Sequence, residues 1–184
     1  MSRESQGRLG RRRFLGVAAA GCVLGLSPCG IARAAVSGAR RLSFYSLHTQ
    51  EALSTVFWQD GRLVPDALAE IDWHLRDFRT GEVLAIDPGL LDLLHSLSRT
   101  MAYDGPIHVI SGYRSAKTNA MLAAQSGGVA KNSYHVRGMA IDLRLPGRSL
   151  RDVQRAALEL ARGGVGFYPR SDFVHVDTGP VRRW

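Results

Sequence analysis

Cysteine is almost absent from this chain. Its 184 residues hold two, Cys22 and Cys29. Both precede a candidate cleavage point after residue 34, so a mature chain beginning at Ala35 would contain none. Such a chain can form no disulfide even in a compartment that permits one. It also has no thiolate to serve as nucleophile or metal ligand, and several enzyme classes drop out together. Long apolar runs are missing too: the longest, Phe14 to Leu26, spans 13 residues, short of the roughly 20 that cross a bilayer. Internal repeats and low-complexity segments are also absent. No basic block with interleaved aromatics follows residue 41, and the net charge of +8 is concentrated early. Residues 1–34 carry six Arg and one Glu, or +5, which leaves +3 for residues 35–184. That balance argues against a nucleic-acid partner despite a pI of about 10.3.

The basic start and the short apolar run together read as a signal peptide over residues 1–34. Arg11-Arg12-Arg13 precede Phe14-Leu15, and Ala32-Arg33-Ala34 offers a small-x-small cleavage site. The Arg-Arg-x-Phe-Leu order resembles a twin-arginine signal, with Gly10 and Gly16 at the motif's ends, where Ser/Thr and Lys are usual. An ordinary secretory signal with a basic start is the alternative. A third reading, lipidation, rests on Ala19-Ala20-Gly21-Cys22, a loose lipoprotein box. The expectation is an exported, periplasmic, monomeric protein with no transmembrane span once processed.

Beyond a flexible lead at 35–40, one domain over 41–184 is expected. Arg41–Thr49 and Glu51–Trp58 read as strands around a short turn. Gln59-Asp60-Gly61 is a turn. Pro65 opens a helix predicted to run to Arg79, with Leu68, Ile71, Leu75 and Phe78 inward at helical spacing. Asp87-Pro88 starts another, with Leu90, Leu91, Leu94 and Leu97 inward. Ile107–Ser111 is a buried strand. Ser115 caps a helix to Gln125, and a loop follows to Asn132. Met139–Leu145 is a strand, Ser149 caps a helix through Ala161, and Val165–Tyr168 and Phe173–Asp177 are the last strands. Helices and strands mix without a βαβ rhythm, which predicts an α+β fold with a mainly antiparallel central sheet and flanking helices.

Three segments carry chemistry. In Ser133–Asp142, a loop histidine, His135, precedes a strand whose apolar run Asp142 interrupts. Ile141 and Leu143 point one way; Ala140, Asp142 and Arg144 point the other. A carboxylate among such neighbours is costly to bury unpaired, and either a metal or Arg144 would remove the cost. Gly138 lets the loop fold back so that His135 approaches Asp142. In Phe173–Asp177, His175 and Asp177 share one strand face and Val174 and Val176 the other. Two imidazoles and a carboxylate from His135, Asp142 and His175 suit Zn2+ with a fourth position open to water. In Ser111–Ser115, Arg114 at a strand end can stabilise an oxyanion or hold a substrate carboxylate. Each also has a plainer reading: a solvated loop histidine, a carboxylate paired with arginine, a packed core histidine, a surface arginine near Asp104. His74, among charged residues on its helix, reads as solvated.

Ser-Gly-Tyr-Arg-Ser, then Ser-x-His-x-x-Gly-x-Ala-x-Asp, then Phe-Val-His-x-Asp-x-Gly-Pro, in this order and spacing, resemble the murein endopeptidase K (YcbK-like) family. That family belongs with the D-Ala-D-Ala carboxypeptidase and hedgehog-like zinc peptidases. The likeness covers nearly all of 41–184, including Gly163–Pro169 and Arg183-Trp184. It implies zinc at His135, Asp142 and His175, and periplasmic hydrolysis of peptide cross-links in peptidoglycan stems. It leaves the general base open. Related dipeptidases place a Glu three residues before the last zinc histidine, where this chain has Asp172. Asp177 is the preferred candidate, either as base or as the partner orienting His175. Other readings to weigh are a D,D-carboxypeptidase or dipeptidase on the same site, and a non-catalytic wall-binding domain that has kept the fold.

Overall fold

The computed structural model describes residues 38–125, 130 and 132–184. The expected signal peptide, both cysteines and residues 35–37 of the lead lie outside these. The described chain runs β1 (Arg40–Ser46), β2 (Ala52–Gln59), β3 (Arg62–Leu63), α1 (Pro65–His74), α2 (Pro88–Thr100), β4 (Ile107–Ser111), α3 (Ala116–Gln125), β5 (Ala140–Arg144), α4 (Leu150–Leu160), β6 (Gly164–Tyr168), β7 (Phe173–Asp177) and β8 (Arg182–Arg183). The strands form one eight-stranded sheet in the order β3-β2-β1-β4-β5-β7-β6-β8. Five neighbouring pairs are antiparallel, and β1–β4 and β6–β8 are parallel. This is the α+β, mainly antiparallel architecture that the sequence predicts. The two-residue strands β3 and β8 escape a sequence reading, being too short to show alternation.

Alternation on the central strands decides what faces what. Ile141 and Leu143 of β5, Val174 and Val176 of β7, and Ile107 and Val109 of β4 enter the core. There they meet Leu90, Leu91, Leu94 and Leu97 of α2 and Val153, Ala156 and Ala157 of α4. The α2 stripe matches the expected spacing, and its start follows from Asp87, whose side chain accepts the Gly89 N–H at 2.9 Å, with Pro88 just inside. Ser149 caps α4 in the same way through the Asp152 N–H, 3.1 Å away. On the opposite sheet face, register sets Asp142 beside His175, Ala140 beside Asp177, and Ser111 beside Asp142. A one-residue slip would drive those polar groups into the core, so the apolar residues also hold the polar ones in place.

Two local expectations fail, for tertiary reasons. Helix α1 ends at His74, not Arg79. Continuing it would need the Leu75 carbonyl for the Arg79 N–H. That carbonyl instead accepts from Tyr113 N at 2.8 Å, and Arg79 N donates to the Asp77 side chain at 2.9 Å. His74 is buried rather than solvated, because it continues the Ala67–Ile71 stripe and packs its ring 5.8 Å from Phe44.

Asp77 shows what the shortened helix gains. Its carboxylate is almost fully buried and accepts the Ser115 N–H at 2.9 Å at the start of α3. Burial pushes its pKa up, but the Thr118 and Ser115 hydroxyls and the Ser115 and Arg79 N–H groups outweigh that and hold it at about 2. A depressed folded-state pKa gives stability that is present above the unfolded value and lost as pH falls through the folded one. Asp77 therefore contributes on the order of 2 kcal/mol at neutral pH. That contribution fades between about pH 4 and pH 2. Urea midpoints of the wild type and Asp77→Asn, measured from pH 6 to pH 2, are expected to differ at the upper end and converge at the lower. A constant gap would refute the assignment.

Candidate metal centre and active-site cleft

The first donor comes from a tight turn. Residues 134–137 form a single 3-10 turn where the sequence reads as loop. Ser133 caps it by accepting the His135 N–H, and Gly138 closes it at φ +67, a left-handed conformation that glycine adopts without strain. The chain thus doubles back into β5, and His135, buried at 2 % exposure, reaches the sheet face that carries Asp142. The other two donors arrive from β5 and β7 as register partners.

The three side chains converge on one point. His135 Nε2 lies 3.2 Å from His175 Nδ1 and 3.2 Å from Asp142 Oδ1. His175 Nδ1 lies 2.8 Å from Asp142 Oδ1. Ligands about 2.0–2.2 Å from a tetrahedral zinc ion stand roughly 3.3 Å from one another, so the donor set fits a metal once its closest pair, His175 and Asp142, spreads by about half an ångström. The remaining ring nitrogens point the same way. His135 Nδ1 donates to the Gly112 carbonyl at 2.7 Å, and His175 Nε2 meets Asp177 Oδ2 at 3.0 Å. Each imidazole thus spends one nitrogen on a hydrogen bond that fixes its tautomer and leaves the other for the metal, the usual arrangement around zinc-bound histidines.

The electrostatics mark the point as one that attracts positive charge, which a metal ion would supply in place of a proton on His175. Burial raises the Asp142 pKa, but His135 and His175 outweigh it and hold the carboxyl ionised. Burial lowers the His175 pKa, while Asp142 and Asp177 pull it up by a larger amount. Asp177, fully buried, is likewise held ionised against burial by His175, Arg182 and the Gly179 and Gly164 N–H groups.

A family model described as peptidoglycan L,D-endopeptidase MepK matches residues 34–184. The chain belongs to the MepK family. It is 44 % identical over 145 residues to the peptidoglycan L,D-endopeptidase MepK of Escherichia coli K12, covering 79 % of this chain and 80 % of that one. It is 47 % identical over 146 residues to the probable peptidoglycan L,D-endopeptidase MepK of Haemophilus influenzae, covering 79 % and 78 %. The likeness read from the motifs and the family match thus agree.

In this MepK-family chain the three donors open onto a cleft of about 560 Å3, whose walls include Arg114, Tyr134, Tyr168, Phe173, Arg182 and Trp184. Arg114 is buried in it, not at the surface near Asp104. Its Nη2 lies 3.5 Å from Asp142 Oδ2 and 3.4 Å from Ser111 Oγ, and its Nε has no partner among the described residues. Asp177 stands behind His175. Asp172 lies outside the cleft lining, on the turn before β7, and its exposed carboxylate pairs with Arg144. Its chain neighbours Ser171 and Phe173 do line the cleft.

Sequence reasoning missed Arg182, the role of Gly112 and the reach of Asp77, and gave Trp184 no role beyond its place in the likeness. Tyr134 has the guanidinium carbons of Arg137 and Arg182 at 5.2 and 4.9 Å from its ring centre. Trp184 stacks obliquely on His175 at 5.2 Å and donates from Nε1 to the Tyr168 hydroxyl at 2.7 Å. No spacing signal could have linked these residues to the site. Among the described residues, no helix is long and apolar enough to cross a membrane.

Proposed function

We propose that this chain is a zinc-dependent endopeptidase that hydrolyses an L,D peptide bond in peptidoglycan stems, outside the cytoplasm. The observation that carries the reading is the meeting of His135 Nε2, His175 Nδ1 and Asp142 Oδ1 within 3.2 Å of one another, with both outward ring nitrogens already hydrogen-bonded. The names of the relatives supply the substrate class, and the wall is where an exported chain would meet it.

His135, Asp142 and His175 would hold the ion. The chemistry that zinc supplies when bound is Lewis acidity toward a carbonyl and a nucleophile at neutral pH. Arg114, whose Nε has no partner among the described residues and whose contacts with Asn119, Ser111 and Asp142 span 3.4–3.5 Å, would receive negative charge as the scissile carbonyl becomes tetrahedral. Asp177 orients His175 rather than taking a proton, because both its oxygens are filled. Oδ1 accepts from Gly164 N, Gly179 N and Arg182 Nη1. Oδ2 accepts from Arg182 Nη2 and faces His175 Nε2. Asp172 is then the remaining candidate for the general base; its exposed carboxylate pairs with Arg144 outside the cleft lining, so it would have to leave Arg144 to reach the site.

Purified sacculi incubated with the enzyme are expected to release soluble muropeptides whose masses correspond to cleavage at an L,D bond. Chelation should stop the release and zinc add-back restore it. Release that persists undiminished after exhaustive chelation would rule out the metal. Metal-dependent products cut elsewhere in the stem would rule out the stated bond.

A further inference from the structure

Asp177 Oδ1 and Oδ2 do not sit in a passive pocket. Arg182 grips both, Nη2 on Oδ2 at 2.7 Å and Nη1 on Oδ1 at 3.0 Å, in the two-pronged geometry that a guanidinium forms with a carboxylate. The carboxylate is fully buried, while the guanidinium reaches it from the cleft wall. Arg182 is itself held. Nη1 also donates to the Pro180 carbonyl at 3.0 Å, and its guanidinium carbon lies 4.9 Å from the ring centres of both Tyr134 and Trp184. The parallel pairing of β8 with β6, Gly164 beside Arg182 and Val165 beside Arg183, brings it there. A chain of contacts therefore runs from Arg182 through Asp177 to His175 Nε2 and ends at Nδ1, the nitrogen that faces His135 and Asp142.

We propose that Arg182 is a positioning residue: by fixing both oxygens of Asp177 it sets the ring orientation and tautomer of His175, and so governs how tightly the site holds its metal. The inference rests on the metal reading above. Without the fork, Oδ1 keeps the Gly164 and Gly179 N–H groups, but Oδ2, the oxygen that faces His175, loses the guanidinium that holds it in place. Direct partners of a metal-binding histidine change metal affinity by about 10–100-fold when removed; Arg182 acts one contact further out, so the low end of that range applies. Arg182 lies next to the exposed Arg183, which provides a control on the same strand.

The test is the zinc dissociation constant of the purified chain, measured by competition with a chromophoric chelator, for wild type, Arg182→Gln, Arg182→Lys and Arg183→Gln. Circular dichroism and the apo-protein melting temperature are recorded alongside. Arg182→Gln is expected to bind zinc about 10-fold more weakly with its far-UV spectrum unchanged. Arg182→Lys, which keeps the charge but loses the planar fork, should fall between it and wild type. Arg183→Gln should match wild type. Wild-type affinity in a folded Arg182→Gln overturns the inference while leaving the metal reading intact. If Arg182→Gln does not fold, wild-type affinity in Arg182→Lys does the same. A wild-type chain that binds no zinc overturns both.

Discussion

His135→Ala is expected to abolish muropeptide release from sacculi and to leave the purified chain without bound zinc. Losing only an outer partner of a zinc histidine costs about 10–100-fold in affinity or activity. Losing a donor removes a bond to the ion itself, so the loss should exceed about 100-fold. His135 is also the one donor that comes from outside the sheet. Asp142 and His175 are register partners and stay side by side whatever happens at the turn. Zinc content by elemental analysis and muropeptides by mass spectrometry are the readouts. Asp172→Ala, which touches no donor, should keep full zinc occupancy and a residual rate. Full activity in His135→Ala would end the metal assignment.

Gly112→Ala should lower both stability and activity, by about 3 kcal/mol in the first case. A methyl at 112 would stand 2.6 Å from the Leu75 carbonyl oxygen and 2.9 Å from Leu75 Cβ. Overpacking usually costs about 1–3 kcal/mol, and the upper end applies because the struck atom is backbone, which no rotamer change can move aside. That carbonyl is also the acceptor for Tyr113 N, so the clash falls on the contact that stops α1 at His74. For a domain of this size the melting temperature should fall by roughly 6–12 °C. Activity should fall as well, because the Gly112 carbonyl holds His135 Nδ1. Moving it frees the ring to choose the other tautomer and offer the wrong nitrogen. A variant that melts within about 2 °C of wild type and digests sacculi at the wild-type rate would show that the strand end can give way.

How much of this was legible beforehand differs from residue to residue. The inward residues of α2 were plain, because four leucines at helical spacing leave few other solutions. The shared face of His175 and Asp177 and the outward turn of Asp142 were equally plain, since strand alternation is a property of neighbours. The full length of α1 was misread because its periodicity does continue to Phe78. What stops the helix is a carbonyl claimed by Tyr113, 38 residues further on. His74 was misplaced for a related reason: charged chain neighbours say little about a side chain lying one turn from Ile71 on the buried stripe.

From the sequence alone came the donor types, their order, and the faces on which two of them lie. Those follow from spacing and from the backbone's period of two, which act within a few residues. The tertiary structure alone decided which imidazole nitrogen is left facing the other donors, which carboxylate is already saturated, and which arginine grips it. Those depend on sheet order and register, which bring Gly112 against His135 and Arg182 against Asp177. A hydrogen-bond partner is chosen by distance in space, and no pattern along the chain encodes that distance until the strands have paired.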